Sequence, residues 1–461
     1  MCDFALFFYL LNKKGIIMNY TISSLMQNDG FACSCGKQHF GQLSDCIIGE
    51  GALLRLPDIL GKYQASHPFL LCDRETYAAA GKTVCEILDA VGITHTLHII
   101  RRTRPAPDEQ IVGEAVMFCP HKADAVIAIG GGVINDTGKI VAALKHVTDI
   151  YVATAPSMDG YASASSSMER EGLKVSLNSK CPDVVIGDAD VLAAAPRHMI
   201  VSGIGDIAAK YVSLVEWRIA ALLVGEYYCD TVADIVKSSL DTVRACAADA
   251  VSGSREAVCR LTEALVISGL AMNYAGLSRP ASGMEHYISH IIDMRALAFG
   301  TPCELHGIQA GLGTLLTVRG YEMLAKIAPD RERALAYVSQ FDLDAWFETM
   351  RKNLGEGAEA MIAGEHKEKK YCVEKHAARL EDILSHWDEI LALIGQLPTS
   401  DALEQFYREI GHPLSCTEYG LSRDEIRFAF TAAKDIRDKY VLGRLLWDLG
   451  LLDEVAAQVQ Y

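Results

Sequence analysis

Between about residue 45 and residue 190, short apolar runs alternate with segments of helical periodicity. The apolar runs predict strands over 68–73, 94–100, 123–132, 149–156 and 183–188. The segments between them predict helices over 75–92, 108–119 and 136–147. Strands that alternate with helices indicate a parallel sheet with crossover connections. Residues 18–190 are therefore expected to form an α/β domain with a Rossmann-like parallel sheet.

After about residue 190 the alternation stops. Residues 200–300 and 305–455 have helical periodicity almost throughout and contain few prolines, which predicts an all-helical second domain over 191–461. The charged stretch 353–380 is expected to be helical, and a solvated face is the favoured interpretation. Residues 1–17 include an apolar run too short to span a bilayer, which takes roughly 20 residues. Because Met18 can serve as a start, we expect 1–17 to be an upstream extension or disordered.

The composition and charge of the chain limit the classes of partner that it can bind. The 461-residue chain carries a formal charge of −16, which argues against nucleic acid or a membrane surface because both are polyanions. A small phosphorylated substrate stays compatible, since it needs only a locally positive pocket. The 14 cysteines are scattered singly, without the spacing of a disulfide framework, and this indicates a reducing cytoplasm.

One cysteine cluster departs from that scatter. Cys33, Cys35 and His39 lie in "CSCGKQH" and have the residue types of half a metal site. No second Cys/His cluster in the sequence completes a zinc quartet. Thiols in a surface turn are therefore the favoured interpretation.

The segment "AVIAIGGGVINDTGK" (125–139) ends a predicted buried strand in Gly130, Gly131 and Gly132. Ligands of open α/β sheets bind beyond the carboxyl ends of the strands, and glycine lets the backbone approach a phosphate there. The fingerprint G-x-G-x-x-G fails because its last position is Asn135, and the P-loop pattern also fails. A pyrophosphate cradle and a purely structural tight turn are equally good explanations of these glycines.

Asp73 ends the first predicted strand of this region. An acid at that position can hydrogen-bond a ribose hydroxyl and repel a 2′-phosphate, which mildly favours NAD over NADP. A helix N-cap is an equally good explanation.

Candidate metal ligands lie in the second half. In "RPASGMEHYISHIIDM", His286 and His290 are four apart, on one helix face. His306 precedes a glycine that would allow close approach of another group, and Asp206 follows a predicted Gly-x-Gly turn at the start of an apolar helix. One carboxylate and two imidazoles would form an open three-ligand site for a divalent cation, as a Lewis-acid catalyst requires.

Several motifs together resemble those of the glycerol-1-phosphate dehydrogenases. They are, in chain order, "GGGVIND", "TAPSMDGYASASSSM", "GIGDIAAK", "RPASGMEHYISH" and "LHGIQAGLGT". The segment "FAFTAAKDIRDKYVLGRLLWDLGLL" is similar to the bacterial, AraM-like branch. The resemblance covers roughly residues 30–455 and implies the dehydroquinate synthase-like fold shared with iron-containing alcohol dehydrogenases and glycerol dehydrogenase.

The resemblance implies an enzyme that reduces dihydroxyacetone phosphate to sn-glycerol 1-phosphate with NAD(H) or NADP(H) and one divalent metal. Asp206, His286 and His306 are the implied metal ligands. His290 would face the substrate and relay a proton, and Asp159 would lie between the nicotinamide and the substrate. The implied cofactor contacts are Gly130, Gly131, Gly132, Val133, Ile134, Asp136, Thr154, Ala155, Pro156, Ser157 and Ser163, with Asp73 as above. The candidates for holding the substrate phosphate are Arg279, Ser278, Ser282 and Lys210.

Alternatives remain within and outside the superfamily. Glycerol dehydrogenase shares the Asp/His/His pattern but acts on an unphosphorylated polyol, whereas dehydroquinate synthase typically has glutamate where Asp206 stands. A non-catalytic protein that binds NAD or a sugar phosphate is disfavoured, because the whole polar constellation is present and would be costly to bury without use. Zinc, nickel and iron all suit these ligands. A homodimer is the default assembly.

Overall fold

The computed structural model describes residues 20–26, 30–103, 105–170 and 173–459. The predicted upstream extension, 1–17, lies outside the described residues. Within them, every strand ends at or before Asp188, and only helices and loops follow.

A six-stranded sheet organises the first part of the chain. The described strands are β1 (Phe31–Ala32), β2 (Gln38–His39), β3 (Asp45–Gly49), β4 (Pro68–Asp73), β5 (Thr96–Ile100), β6 (Ala125–Gly130), β7 (Thr148–Ala153), β8 (Ser165–Arg170), β9 (Leu173–Asn178) and β10 (Val184–Asp188). Six of these form an all-parallel sheet in the order β3-β10-β7-β6-β4-β5. The predicted parallel sheet is confirmed, and β3 is a strand that the hydrophobic pattern had not singled out.

The strand order places a ligand crevice. From β4 the chain goes outward to β5 and then returns to the opposite side of β4 to form β6. This is the doubly wound order of the flavodoxin type, with β3 added at the far edge. Ligands of such sheets bind where the order reverses. Here that point lies between the ends of β4 and β6, where Asp73 and Gly130 stand.

Both faces of the sheet are covered, which explains its continuous apolar runs. Along β4, Phe69 and Leu71 face the core shared with the helical part, while Leu70 and Cys72 face a second core on the other side. Each of these four side chains is fully buried. Alternate side chains of one strand thus hold two layers of helices in place.

Helices make up most of the remainder. The described α-helices are α1 (Ile22–Leu25), α2 (Leu56–Lys62), α3 (Arg74–Thr76), α4 (Lys82–Ala90), α5 (Glu109–Phe118), α6 (Gly132–Lys145), α7 (Ala189–Ala193), α8 (Arg197–Ala208), α9 (Lys210–Val224), α10 (Asp230–Val251), α11 (Arg255–Ala275), α12 (Met284–Phe299), α13 (His306–Leu324), α14 (Arg331–Ser339), α15 (Leu343–Leu354), α16 (Gly357–Glu368), α17 (Val373–Ser385), α18 (Trp387–Ile394), α19 (Ser400–Ile410), α20 (Arg423–Ala432), α21 (Leu442–Asp448) and α22 (Leu452–Gln458). A π-helical turn, Tyr77–Gly81, joins α3 to α4.

The serine-rich stretch after residue 163 is a hairpin, β8–β9. Serine disguises the strand in the sequence, although Ser166 and Met168 both point inward and are buried. The hairpin is fastened to α6 because the Ser167 N–H donates to the Asp136 carboxylate at 3.0 Å, and the Ser166 hydroxyl donates to the Asp136 carbonyl at 3.2 Å.

The charged stretch 353–380 is more than a solvated face. It breaks between α16 and α17 at Lys369, whose φ is +53°. The Lys370 ammonium donates to the Arg437 carbonyl at 2.8 Å, and the buried Tyr371 hydroxyl donates to Asp435 at 2.8 and 2.9 Å. The stretch therefore anchors the loop that precedes α21.

In the part of the chain that the structure describes, no helix combines the length and the apolar character needed to cross a membrane.

Candidate active site

The glycine turn starts α6 at the edge of the crevice. The helix begins at Gly132, four residues earlier than predicted, and its N-cap is Gly131, which has no side chain to cap the first N–H groups. A Cβ on Gly131 would meet only Met199, 3.8 Å away, whereas one on Gly130 would lie 2.6 Å from Ile134. Gly130 is thus required by packing, while Gly131, Gly132 and Val133 are the half-buried part of the turn that a phosphate can reach.

Two other residues of this turn point elsewhere. Ile134 is buried beneath Gly130. The Asp136 carboxylate holds β8 and lies 3.4 Å from the fully buried Lys139 ammonium. Neither side chain is directed at the crevice, so the structure does not favour Ile134 or Asp136 as side-chain contacts of a cofactor.

The loop after β7 links the glycine turn to the helical part. The Thr154 N–H donates to the Gly130 carbonyl at 3.3 Å. The Ser157 carbonyl accepts from the Ser202 hydroxyl at 2.9 Å, and Ser157 also contacts the Tyr161 hydroxyl. Thr154, Ala155, Pro156 and Ser157 therefore form the floor between the crevice and α8. Ser163 is buried, and its hydroxyl donates to the carbonyls of Gly160 and Ser165, which leaves it a structural role in this arrangement.

Asp73 is an N-cap. Its carboxylate accepts from the Thr76 N–H at 2.7 Å, and the Thr76 hydroxyl accepts from the Asp73 N–H at 3.0 Å. The side chain is half-buried at the switch point, so ribose binding stays a prediction.

Asp206 lies in the last turn of α8, and the predicted Gly-x-Gly turn before it is wrong. Gly203 and Gly205 are helical positions. A Cβ on Gly203 would lie 2.0 Å from the Pro156 carbonyl oxygen, and one on Gly307 would lie 1.9 Å from the Ser202 carbonyl oxygen. These glycines let α8 pack directly against the β7 loop and α13. The close approach predicted for the glycine after His306 is observed.

Asp206, His286 and His306 converge. One ligand atom from each lies within 4.8 Å of the others. The His286 Nε2 is 3.3 Å from the Asp206 Oδ1, and the two imidazole centroids are 5.0 Å apart. The three residues come from α8, α12 and α13. This donor set of one carboxylate and two imidazoles fits a divalent transition metal.

Charge around this cluster is balanced by Lys210. Its fully buried ammonium lies 3.0 Å from the Asp206 Oδ1 and 2.8 Å from the Asp159 Oδ2. Although burial opposes ionisation, Lys210 and then His286 hold the pKa of Asp206 well below its usual range. This position does not favour Lys210 as a donor to substrate phosphate. Asp159 is tied to the cluster, because its N–H donates to Asp206 at 2.9 Å and its carboxylate accepts from Ser268 at 2.8 Å.

Glu285 orients the His286 ring. The Glu285 Oε1 accepts from the His286 Nδ1 at 2.9 Å and from the Gly283 N–H at 2.6 Å. This contact leaves Nε2 directed at Asp206, as in carboxylate–histidine–metal triads. Glu285 was not among the residues predicted from the sequence, although an acid directly before a candidate ligand was the available signal.

His290 stands beside the cluster. Its ring is stacked on His306 at a centroid distance of 5.9 Å, and its Nδ1 is buried without a partner among the described residues. Burial, followed by the charges of Arg437 and His306, holds the pKa of His290 well below its ordinary value. The neutral imidazole carries one N–H and one acceptor nitrogen, so it can pass a proton between its two sides.

A cationic loop completes the site. The fully buried Arg279 donates from Nε to Glu226 at 3.2 Å and from Nη2 to two backbone carbonyls. The Lys439 ammonium lies 5.6 Å from the centre of the Tyr287 ring and donates to the Ser278 hydroxyl at 3.2 Å and the Ser282 carbonyl at 2.8 Å. Burial, then Arg279 and Arg437, lowers the pKa of Lys439 to about 7. Arg437 and Lys439 were not among the residues predicted from the sequence, whereas Ser278 and Ser282, which Lys439 contacts, were.

The fold and the Asp/His/His cluster together define a class of metal-dependent dehydrogenases. A family model described as iron-containing alcohol dehydrogenase matches residues 47–196. The structure is similar to that of glycerol dehydrogenase from Schizosaccharomyces pombe, with a TM-score of 0.60 at 16% identity over 92% of both chains. It is also similar to NADH-dependent butanol dehydrogenase A from Thermotoga maritima, with a TM-score of 0.56 at 16% identity over 91% of this chain and 98% of that one.

Similar curated proteins indicate to which family of these dehydrogenases the chain belongs. The glycerol-1-phosphate dehydrogenase, NAD(P)+, of Halalkalibacterium halodurans is 33% identical over 64% of this chain and 75% of its own length. The enzyme of the same name from Metallosphaera sedula is 40% identical over 58% of this chain and 75% of its own length. The Bacillus licheniformis enzyme is 28% identical over 94% of this chain and 96% of its own. The chain belongs to the glycerol-1-phosphate dehydrogenase family.

Proposed function

We propose that this protein is an NAD(P)-dependent sn-glycerol-1-phosphate dehydrogenase. It reduces dihydroxyacetone phosphate reversibly, and each turnover consumes one NAD(P)H and one proton. The observation that carries the proposal is the buried convergence of Asp206, His286 and His306 at the end of a nucleotide-type crevice, with His290 beside it. The substrate and the stereochemistry of the product are proposed from the family to which the chain belongs.

Asp206, His286 and His306 are the residues that would hold the divalent metal, and Gly131–Val133 with the β7 loop would hold the dinucleotide. When bound, the metal would stabilise negative charge on the substrate oxygen and the reduced nicotinamide would supply the hydride. The chain contributes by orientation: Glu285 fixes the His286 tautomer, and Lys210 holds the carboxylates of Asp159 and Asp206 in place.

The proton comes by way of His290. Because its imidazole is neutral, it can donate a proton from one nitrogen while it accepts another proton at the second nitrogen. Asp159, held by Lys210 and Ser268, lines the path between the nicotinamide position and the substrate.

The substrate phosphate is held by Lys439 and Arg437, with Arg279 behind them. These cations crowd together in a chain whose net charge is −16, and the lowered pKa of Lys439 reflects their mutual repulsion as well as burial. A phosphate dianion between these cations would offset both their mutual repulsion and the burial of their charges. This arrangement favours a phosphorylated substrate over glycerol, the substrate of the alternative function.

We further propose a cytoplasmic homodimer. The thirteen described cysteines are all free thiols, which supports a reducing compartment. Strand β5 is an edge of the sheet, and beside it the side chains of Met117 and Phe118 are 82% and 56% exposed. An open edge next to an apolar patch is suited to a second copy of this chain.

The reaction is tested by following NADH and NADPH oxidation with dihydroxyacetone phosphate, and the reverse reaction with each glycerol phosphate enantiomer. We expect turnover that depends on added metal and prefers sn-glycerol 1-phosphate. Asp206→Asn and His306→Ala should lower kcat by at least about 100-fold, whereas NADH binding, measured by fluorescence, should stay within about 3-fold. Unchanged turnover in both variants would contradict the metal assignment.

The phosphate assignment is tested by comparing dihydroxyacetone phosphate with dihydroxyacetone. Lys439→Met should raise KM for the phosphorylated ketone by about 10- to 100-fold, the value of a charged hydrogen bond, and should hardly change the slow rate with the free ketone. Lys352→Met, an exposed position on α15, is the control. Equal loss on both ketones would assign Lys439 a structural role. A wild-type preference for glycerol would favour the alternative function.

A further inference from the structure

Four side chains outside the active site form a compact cysteine cluster: Cys33, Cys35, His39 and Cys229. One ligand atom from each lies within 4.8 Å of all the others. The Cys33 and Cys229 Sγ atoms are 3.6 Å apart. The His39 Nε2 is 3.4 Å from the Cys35 Sγ and 3.5 Å from the Cys229 Sγ. Cys33 and Cys35 lie in a half-buried turn, and the fold brings Cys229, a fourth potential ligand, to His39 from 190 residues away.

These distances match the edges of a zinc tetrahedron. With Zn–S bonds of about 2.3 Å and Zn–N bonds of about 2.0–2.1 Å, a tetrahedral site has S···S edges of about 3.8 Å and S···N edges of about 3.6 Å. The three contacts above are 3.6, 3.4 and 3.5 Å. A disulfide would require an S–S distance of about 2.05 Å, and all three cysteines are free thiols.

Two elements deliver the ligands. The β1–β2 ribbon turns tightly at Gly36, whose φ is +85°, and the Cys33 N–H donates to the Lys37 carbonyl at 3.0 Å. This turn places Cys33 and Cys35 on the same side as His39. Cys229 is the N-cap of the 22-residue helix α10 and accepts from the Val232 N–H at 3.5 Å.

His39 is oriented as a ligand. Its side chain is fully buried, and its Nδ1 lies 2.7 Å from the Tyr274 carbonyl oxygen. A carbonyl only accepts, so Nδ1 carries the proton and Nε2 presents its lone pair to the three sulfurs. An imidazole buried among thiols and fixed in this tautomer is the arrangement expected of a metal ligand.

We propose that Cys33, Cys35, His39 and Cys229 bind one Zn²⁺ ion in a closed, structural Cys₃His site. Three thiolates, a neutral imidazole and the dication give the site a charge of −1. The Lys37 ammonium lies 3.3 Å from the centre of the Tyr227 ring, and the Tyr227 hydroxyl is 3.4 Å from the Cys35 Sγ, so a cation offsets that charge nearby. All four protein ligands are present, which leaves no open position for a substrate.

The ion fastens the ribbon to the helical part. Strands β1 and β2 have two residues each, so the ribbon has little core of its own. Its ring contacts include those of Phe31 with His39 and Tyr274. Tyr274 belongs to α11, and Cys229 begins α10. Bound zinc therefore joins the ribbon to the ends of two packed helices and contributes to stability rather than to hydride transfer.

The experiment uses the full chain purified without added metal, then treated with a chelator mild enough to empty an open three-ligand site. The treated protein should retain one zinc ion per chain, as measured by elemental analysis. The double variant Cys33→Ser/Cys35→Ser should lose that zinc and unfold at a lower temperature. Cys85→Ser, which alters a half-buried thiol elsewhere, should retain it. X-ray absorption at the zinc edge of the wild-type protein should fit three sulfurs and one nitrogen.

The absorption measurement needs no variant, so it decides the matter even if the double variant fails to fold. A zinc shell of nitrogen and oxygen alone would overturn the proposal. So would wild-type protein that retains no zinc, or a Cys33–Cys229 disulfide found by mass spectrometry of the protein as isolated. Activity with dihydroxyacetone phosphate is a separate readout, which the Asp206 cluster governs.

Discussion

Glu285 acts through His286 rather than on the substrate. Its Oε1 accepts a hydrogen bond from the His286 Nδ1 at 2.9 Å. Glu285→Gln keeps the shape of the side chain but removes the negative charge that makes the imidazole a stronger electron-pair donor to the metal. We expect metal affinity to fall about 10- to 100-fold. Equilibrium metal titration measures this effect, and excess metal should restore kcat.

The control for this prediction is Glu389→Gln, an exposed position on α18, which should leave metal affinity unchanged. If Glu285→Gln bound metal as tightly as the wild type, the role of this carboxylate would be to hold the Gly283 N–H, its other partner, and not to tune the His286 ring.

Asp149 on β7 makes stability depend on pH. Its side chain is 1% exposed, and neither carboxylate oxygen has a partner among the described residues. Burial, with a contribution from Asp183, raises its pKa to about 7, against the attraction of Lys139. The folded state therefore holds a proton that the unfolded chain releases near pH 4. The free energy of unfolding is therefore expected to fall by up to about 4 kcal/mol as the pH rises from about 4 to 7.

Asp149→Asn should remove this dependence and raise the free energy of unfolding at pH 8 by about 1–4 kcal/mol. Urea unfolding at pH 5 and pH 8 measures the difference between the variant and the wild type. Asp58→Asn, at a 74% exposed side chain, should have no such effect. An equal change at both pH values would show that Asp149 does not take up the proton.

At the scale of elements, the metal site depends on two helices whose backbones touch. A Cβ on Gly307 would lie 1.9 Å from the Ser202 carbonyl oxygen. Both groups belong to regular helices, α13 and α8, so the strain can be relieved only by moving one helix away from the other. Gly307→Ala should destabilise the protein by about 3 kcal/mol and separate His306 from Asp206, with loss of metal retention.

The matched control is Gly113→Ala in the middle of α5, where a Cβ would meet nothing within 4 Å. It should be neutral or stabilise the protein by up to about 1 kcal/mol, because alanine is the better helix residue. Thermal unfolding and metal content of both variants measure the contrast. If Gly307→Ala retained both properties, the helices would be able to separate without consequence for the site.

An element buried on both sides is easy to predict from the sequence. Strand β4 coincides with its predicted range because both faces are apolar. Strand β8 was missed because three consecutive serines, 165–167, hide its alternation of inward and outward side chains. The inward Ser166 hydroxyl finds its partner on α6, outside the local sequence. The i,i+4 spacing identified His286, since that relation is local. Cys229 was missed as a partner of His39, because nothing near either residue reveals a contact across 190 positions.

At the scale of the whole molecule, α11 connects the two candidate metal sites. Its Ser268 donates to Asp159 at 2.8 Å beside the Asp206 cluster, and six residues further on the Tyr274 carbonyl meets His39 at 2.7 Å. A Cβ on Gly269 would lie 2.9 Å from the Asp159 carbonyl oxygen, so the helix lies directly on the loop that lines the active site. The ribbon, the helix and this loop thus form one packed unit.

The proposed dimer joins two copies at β5, where Phe118 stacks on His98 at a centroid distance of 4.3 Å and Met117 is 82% exposed. Met117→Glu places a charge in the middle of that patch. We expect the variant to be a monomer at concentrations where the wild type is a dimer, because a buried unpaired charge costs several kcal/mol. Light scattering after size exclusion measures the mass. Leu54→Glu, a 67% exposed leucine beside the opposite edge strand β3, is the control. If Leu54→Glu dissociates the dimer and Met117→Glu does not, the copies meet at β3, and the patch beside β5 has another use.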